Sequence, residues 1–251
     1  AMDVEACVQE AVQKAVDCFG ARSVQAMQTP VVLDREAAAD LLEAFSGMFC
    51  ADQAQRGLSP LAGRCGQRIA ASCVDIVDDP LAAHHPRAFD AEGTPSRTTS
   101  VVQNGVFQSF LHNLKTAAKE GCASTSNASR AAAGSPVTVA PSNFFIAAGE
   151  KTQQQLLAQM GDGILICTVS GLHAGLNAVT GDFSLLASGF VVKDGQRGRP
   201  VEQVTVAGNF LKLLPGVLAV GSDLFFSGSQ TGSPSLLIDT LTVSGSGEQE
   251  T

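Results

Sequence analysis

Apolar residues near the start of the chain recur with the spacing of amphipathic helices. Between Val4 and Phe19 they fall three or four positions apart, so that they share one face of a helix that Gly20 would end. A second helix is predicted from Asp34, a residue type suited to an N-cap, to about Phe49. The run from Thr29 to Leu33, between the two helices, predicts a short buried strand.

From Phe89 onward the pattern changes to short runs of β-branched residues, Leu and Phe, separated by Gly, Asp and Ser. Asn104-Gly105 predicts a hairpin with a type I′ turn, because both central residues of that turn need positive φ. Two helices interrupt the strands, one from Leu114 to Glu120 and one that Thr152 and Gln155 would open as a capping box. The predicted strands are Thr98 to Gln103, Val106 to Leu111, Ile164 to Val169, Leu176 to Thr180, Phe183 to Val192, Val201 to Ala207, Val217 to Val220 and Leu236 to Val243.

These elements predict an α+β fold in which N-terminal helices precede a curled, mostly antiparallel or mixed β-sheet system. Residues 1–88 are expected to form a helical segment with a short strand that packs on the sheet. Residues 89–251 are expected to form a β-rich domain, and the two segments to make one structural unit. The stretch from Ala51 to Gly66 is polar and weakly patterned, and we interpret it as a surface excursion.

Composition and charge narrow the range of functions. The 251 residues carry a formal net charge of −8, and such a surface disfavours direct contact with nucleic acid. No apolar run reaches the length of a membrane span, so no membrane partner is expected. The seven cysteines are odd in number and form no C-x-x-C pair, which predicts reduced, mostly buried thiols in a cytoplasmic protein.

Few histidines are candidates for metal binding or acid–base catalysis. His84 and His85 form the only histidine pair, but no ligand set accompanies them, and we interpret them as solvated loop residues. His112 and His173 could each act as a general base, although histidines with locally satisfied hydrogen bonds are the better interpretation.

The candidate nucleophiles are equally isolated. Cys167 lies in an apolar run and is predicted to be an inert buried thiol, and Cys122, beside a helix end, has no identifiable base. Ser184 lacks the flanking glycines of a nucleophile elbow. The stretches Gly228 to Gly232 and Gly245 to Gly247 lack the Lys and helix of a phosphate-binding loop.

Three ordered groups of residues carry a resemblance to a known family. The first is Phe89 to Thr98, which leads into the Asn104-Gly105 hairpin and Leu111-His112-Asn113, and the second is Asn127 to Arg130. The third comprises Ala178 to Phe190, Lys193 to Gly195, Arg199 to Val201, Val206 to Asn209 and Val220 to Leu224. In order and spacing they resemble the PmbA/TldD family, also called modulators of DNA gyrase. Its members are longer, and the resemblance covers their C-terminal portion alone.

The resemblance implies a place in a cytosolic peptidase that processes unfolded peptides. The family includes a zinc-binding, TldD-like subunit and a metal-free, TldE- or PmbA-like subunit. In the zinc subunit a helix carries H-E-x-x-x-H, and a late cysteine completes the ligand set. Aligned without gaps, that motif falls on a degenerate position here, with Leu42 and Gly47 in place of the histidines and only Glu43 matching. Residues 227–233 contain no cysteine.

We therefore expect a non-catalytic, TldE/PmbA-like subunit with no catalytic residue, no metal ligand and no cofactor. Its expected partners are a TldD-like, zinc-bearing paralogue or a second copy in a dimer, together with an unfolded peptide. The sheet edge near Phe183 to Val192 is a candidate for β-augmentation by that peptide, unless it pairs within its own sheet. Two alternatives stay open: an active hydrolase that uses His173, His112 or Cys122, and a regulator associated with DNA gyrase.

Overall fold

Strands make up most of the regular structure in the computed structural model, which describes residues 4–82, 84–226 and 228–246. The helices are α1 (Val4–Asp17), α2 (Arg35–Phe45), α3 (Ala51–Gln55), α4 (Leu114–Glu120), α5 (Gln153–Met160) and α6 (Phe210–Leu213). The strands are β1 (Met27–Leu33), β2 (Ile76–Asp78), β3 (Thr99–Gln103), β4 (Val106–Phe107), β5 (Ala128–Ser129), β6 (Thr138–Val139), β7 (Phe144–Ile146), β8 (Gly163–Ser170), β9 (Asp182–Lys193), β10 (Gln196–Asn209), β11 (Val217–Val220), β12 (Phe225–Phe226), β13 (Thr231–Ser233) and β14 (Leu236–Ser244). None of the helices described here has the length and apolar character that crossing a bilayer requires.

Five strands close into a barrel. The order is β1, β8, β9, β10 and β14, and β14 pairs with β1 to complete the ring. Only β1 and β8 run parallel; the other neighbours are antiparallel. Strand β11 extends the barrel wall by pairing with β14, where Val217 lies opposite Ile238. The predicted α+β fold with a curled, mixed sheet system is confirmed.

A second sheet has the order β12, β13, β7, β2, β3 and β4. The β3–β4 connection is the predicted hairpin, and Asn104 and Gly105 both have positive φ, at 49° and 76°. Strands β1 and β2 come from residues 1–88 and lie inside the two large sheets, so this segment contributes strands as well as helices.

Helix α2 joins the two sheets through one hydrophobic core. Asp34 caps it by accepting a hydrogen bond from the Glu36 N–H. Phe45 stacks on Phe210 of the barrel side, with ring centroids 4.8 Å apart. The helix ends earlier than predicted, because Ser46–Phe49 tightens into a 3₁₀ turn that places Phe49 against Phe107 and Phe144 of the second sheet.

The amphipathic helix α1 forms as predicted, but its apolar face lies in solvent. Val8, Val12 and Val16 are more than half exposed, and Phe19 is 84% exposed. Polar contacts hold the helix instead: Lys14 pairs with Glu36 at 2.7 Å, and Arg197 pairs with Asp17 at 2.6 Å. The sequence pattern therefore predicted the helix correctly, and the fold turns its apolar stripe away from the barrel.

Three local interpretations are wrong. The strand predicted from Val106 to Leu111 is confined to β4, Val106–Phe107. The stretch from Ala51 to Gly66 is not a surface excursion throughout, since it contains α3 and the fully buried Leu61. The run from Leu176 to Thr180 is a turn rather than a strand, because the Asn177 side chain accepts hydrogen bonds from the N–H groups of Val179 and Thr180.

The cysteine prediction is confirmed in one part and wrong in another. Six cysteine side chains are described, and all six are free thiols. Only Cys50 is fully buried, and Cys167 is half-buried, whereas the other four are exposed: Cys18, Cys65, Cys73 and Cys122. The error has a simple cause. These four cysteines lie in turns and connections, where the spacing of apolar residues does not predict burial.

Candidate functional site

The helix that holds the degenerate motif faces the late part of the chain across a groove of ≈ 190 Å³. From the end of α2 come Glu43 and Ser46, and from the late segment come Gln230 and Thr231. Pro141 and Ser142 form the remaining wall. The structure thus brings together the two stretches, residues 42–47 and 227–233, that the family resemblance singled out separately.

The three positions of the degenerate motif have different surroundings. Leu42 is fully buried in the core, so its side chain does not reach the groove. Glu43 is exposed and lines the groove. Gly47 is exposed, and no atom lies within 4 Å of the place where a Cβ would stand. Ser46, which sequence reasoning passed over, lines the groove beside Glu43 because the two are three residues apart at the helix end.

The groove does not offer the donors that zinc requires. Structural and catalytic zinc sites use imidazole, thiolate and carboxylate ligands in sets of three or four. Here the lining supplies one carboxylate, from Glu43, with hydroxyl groups and the Gln230 amide. Across residues 4–82, 84–226 and 228–246, no three His, Cys, Asp or Glu side chains converge on a point where they could hold a metal. The residues present therefore do not fit a zinc ion.

A buried carboxylate at the end of β2 fixes the groove wall. Asp78 is fully buried, and its Oδ1 accepts a hydrogen bond from the Ser142 N–H at 2.6 Å. Its Oδ2 accepts from the Ser142 hydroxyl at 2.8 Å and from Asn127 Nδ2 at 2.7 Å. Burial raises the pKa of Asp78 above its ordinary value, and these hydrogen bonds offset only part of that rise. Ser142 is consequently held in one position on the groove.

The residues that carry the family resemblance meet in space and hold turns together. Asp90 is buried; its Oδ2 accepts from the Ala128 N–H, and its Oδ1 accepts from the N–H groups of Glu92 and Thr94. The first two groups of motif residues are therefore joined by one carboxylate that satisfies three backbone donors.

The third group is joined in the same way. Asn209 donates to the Thr180 carbonyl at 2.9 Å and to the Asp182 carboxylate at 2.8 Å, and its Oδ1 caps α6 by accepting from the Leu211 N–H. The hydrogen bonds from Asn209 and Thr180 lower the pKa of Asp182. These motif residues stabilise the fold and do not face the groove.

The histidines do not form a common site, although the rings of His84 and His85 contact each other edge to face with centroids 4.4 Å apart. His84 is half-buried, unlike the predicted solvated residue: its ring stacks on Phe226 at 4.4 Å and its Nε2 lies 2.8 Å from the Ser229 carbonyl oxygen. His85 is exposed, as predicted. His112 is buried, with Nδ1 3.2 Å from Thr116 Oγ1, as expected for a locally satisfied side chain. His173 is exposed in the connection between β8 and β9.

The other candidates are also apart from one another. Cys122 is exposed after α4, and burial raises the pKa of Cys167 to about 12, so its thiol stays protonated at neutral pH. Ser184 is an exposed residue within β9. Within the described residues no hydrogen bond joins His112, His173 and Cys122. Gly247, the end of one glycine-rich stretch, lies outside the described residues.

Strand β9 has no free edge. It pairs with β8 along one side and with β10 along the other, so that Phe183 to Val192 lie inside the barrel wall. The suggestion that this stretch receives a peptide by β-augmentation is therefore wrong, and the pairing within its own sheet, which was the alternative, is confirmed.

Comparison with known proteins shows which family has this architecture. The sequence profile of the PmbA/TldA metallopeptidase C-terminal domain matches residues 26–245. The PmbA metalloprotease homologue of Haemophilus influenzae is 30% identical over 93% of this chain and 49% of its own length. A metalloprotease of Methanothermobacter thermautotrophicus is 31% identical over 88% of this chain and 49% of its own length. The chain thus spans about half the length of these relatives.

Solved structures agree with the sequence comparison. A candidate modulator of a DNA gyrase from Thermotoga maritima superposes with a TM-score of 0.86 at 38% identity, covering 93% of this chain and 54% of that one. TldE from Thermococcus kodakarensis gives a TM-score of 0.89 over 97% of this chain and 56% of that one; at 24% identity the likeness is one of fold. Because the profile matches most of the chain, the chain belongs to the PmbA/TldD metallopeptidase family and comprises its C-terminal domain.

Proposed function

We propose that this chain is a metal-free, TldE/PmbA-like subunit of a cytoplasmic TldD/TldE-type peptidase assembly that processes unfolded peptides. One observation carries the proposal. The groove between α2 and residues 230–231 is lined by Glu43, Ser46, Gln230 and Thr231, which are donors and acceptors for a peptide rather than ligands for zinc. In a metallopeptidase family, such a groove suits a subunit that binds substrate while another chain supplies the metal.

The partner that completes the assembly is a TldD-like, zinc-bearing paralogue. The exposed apolar face of α1 supports association with another chain, because soluble proteins rarely leave a contiguous row of large apolar side chains in water. A second copy of this chain is the alternative occupant, and the same experiment distinguishes the two.

The test is co-expression with a TldD-like protein from the same source. The two chains should co-purify, and a mixture should cleave unfolded peptides in a chelator-sensitive manner, whereas this chain alone should not. A Gln230→Trp substitution, at an exposed groove position, should lower cleavage by the assembly without weakening co-purification. Gln67→Trp, at an exposed loop position away from the groove, is the matched control.

Several outcomes would contradict the proposal. Failure to co-purify, together with no effect on cleavage by the paralogue, removes the subunit role. Chelator-sensitive cleavage by this chain alone identifies the active hydrolase instead, with His173, His112 and Cys122 as the residues to substitute. A salt-dependent shift of DNA at low ionic strength would favour the gyrase-associated regulator.

A further inference from the structure

A second depression, which we call the basic cleft, has more positive than negative side chains in its lining, although the chain as a whole is negatively charged. It has a volume of ≈ 350 Å³ and lies between α3, α4 and β6. Its lining contains three cations, Arg56, Lys115 and Lys119, but only one acid, Asp52. In a chain with a net charge of −8, this grouping concentrates positive potential in one concave place.

The two lysines are available to a ligand. Arg56 is engaged with Asp52, at 3.1 Å, and these two charges offset each other. Lys115 and Lys119 are one helical turn apart on α4, and both are exposed. Neither forms an ion pair with another described residue. Two lysines that line the same cavity favour an anionic group within it.

The walls of the basic cleft are fixed by internal hydrogen bonds. Asn113 and Thr116 are almost fully buried and cap α4 reciprocally, with the Thr116 N–H donating to Asn113 Oδ1 at 2.8 Å. Gln55 ties α3 to α4 by donating to the Thr116 carbonyl at 2.9 Å and to the Glu120 carboxylate at 2.8 Å. A site held in this way loses little conformational entropy when a ligand enters.

Asp52, one of the residues that line the basic cleft, carries an acceptor without a donor. Asp52 Oδ1 is buried and has no hydrogen-bond partner, while its other oxygen accepts from Arg56. An N–H group from a ligand that reached this oxygen would satisfy it. Anion-binding lysines beside an acceptor for N–H match a peptide better than they match a simple anion.

The walls of the basic cleft and of the groove come from neighbouring stretches of the chain. Thr138 lines the basic cleft, and Pro141 and Ser142 line the groove. Three residues of chain span at most about 11 Å, so Thr138 and Pro141, one from each wall, lie within reach of one short extended peptide. The opposite walls also belong to one stretch, from Glu43 and Ser46 to Asp52 and Arg56.

We propose that the basic cleft binds a carboxylate of a peptide whose chain lies in the groove. Lys115 and Lys119 hold the carboxylate, and the protein thereby selects acidic peptides or acidic peptide ends. The identification of the ligand as a peptide rests on the proposed function; the charge selectivity rests on the basic cleft itself.

The test measures binding to this chain alone by fluorescence anisotropy, without the paralogue and without cleavage. The probe is a short fluorescein-labelled peptide rich in Glu, compared with the same peptide carrying Gln at those positions. The acidic peptide should bind more tightly, and Lys115→Gln with Lys119→Gln should weaken its binding about tenfold or more while leaving the Gln peptide unaffected. Lys193→Gln with Lys212→Gln removes two exposed charges outside the basic cleft and is the matched control.

Amidation of the peptide's C-terminus distinguishes the two sources of carboxylate. If amidation alone abolishes binding, the carboxylate is terminal; if Gln substitution alone does so, it belongs to side chains, and both results support the proposal. Equal binding of the acidic peptide, the Gln peptide and the amidated peptide would overturn it. Equal loss in the cleft and control variants, or displacement of the peptide by an oligonucleotide of the same charge, would also overturn it. Because the paralogue is absent from this measurement, failure to co-purify and failure to bind acidic peptides are separate results.

Discussion

At the scale of single residues, the side chains that identify the family differ from those at the positions of its zinc-binding motif. Asp90, Asn127 and Asn209 satisfy buried backbone and side-chain groups, and any chain with these turns needs such partners. The positions of the family's zinc-binding motif fall elsewhere, at the end of α2, where Glu43 alone retains the residue type of that motif. A chain can therefore keep the whole structural series while its groove offers a single carboxylate and not a set of zinc ligands.

His112 provides a prediction at this scale. Burial lowers the pKa of His112 from 6.5, although Glu120, 3.7 Å from its Nε2, favours the charged form. The unfolded chain binds the proton more readily, so stability from His112 is present above pH 6.5 and is lost as pH falls through the folded-state pKa. Between about pH 8 and about pH 5, the melting temperature of the wild type should fall more than that of His112→Gln.

The control for this measurement is His173→Gln, which changes an exposed histidine and should keep the pH dependence of the wild type. Parallel curves for the wild type and His112→Gln would refute the assignment of this pH dependence to the buried imidazole.

At the scale of elements, local signals predict the elements well, but their packing depends on distant segments. The β3–β4 turn forms where Asn104-Gly105 predicts it. Its Gly105 N–H then donates to the Val74 carbonyl, and the Gly105 carbonyl accepts from the N–H groups of Ile69 and Ala70. The glycine is required by this neighbouring segment as well as by the turn itself.

A pair of glycine substitutions separates the two requirements. A Cβ at Gly105 would overlap the carbonyl oxygens of Ala70 and Ala71 at a φ of +76°, whereas Gly121 has a φ of +68° and no neighbouring atom within 4 Å. Gly121→Ala should lower the free energy of unfolding by about 1 kcal/mol, from backbone strain alone. Gly105→Ala should lower it by about 3 kcal/mol or more, because backbone must also move. Urea unfolding measures both, and equal losses would contradict the steric argument.

At the scale of the whole molecule, the barrel depends on pairing between distant parts of the chain. Strand β1 pairs with β14 along its length, with Val31 opposite Ile238. Strand β14 also pairs with β10 and β11, and it buries Leu236, Leu237 and Ile238. Strand β14, the last strand in the sequence, is therefore central to the fold. Helix α1, the first helix, lies outside the core and makes polar contacts.

This arrangement predicts opposite results for two truncations. A chain ending at Ser235 lacks β14, so β1 and β10 lose a neighbour and the core is opened; it should show no cooperative thermal transition. A chain lacking residues 1–20 should keep a cooperative transition, with its melting temperature lowered by about 4 °C or less, because α1 leaves its apolar face outside the core. Calorimetry of both chains checks this, and loss of cooperativity in the second would show that α1 is part of the core.

The sequence by itself determined the local elements and the family. Capping residues, the Asn104-Gly105 turn and apolar periodicity each act over a few neighbouring positions, so α4, α5 and the hairpin followed from spacing alone. The ordered motif residues identified the family for a related reason, since turns of one fold need the same hydrogen-bonding side chains.

Only the tertiary structure decided which surfaces these elements present. Leu42 and Glu43 are adjacent in sequence, yet one lies in the core and the other in the groove, because two sheets pack around α2. The same cause places β9 in the interior of its sheet and leaves the apolar stripe of α1 exposed. It also brings Arg56 and the lysines of α4 to one cavity. Each depends on contacts between segments far apart in the chain, and such contacts are set by the free energy of the whole packed core rather than by the spacing of neighbouring residues.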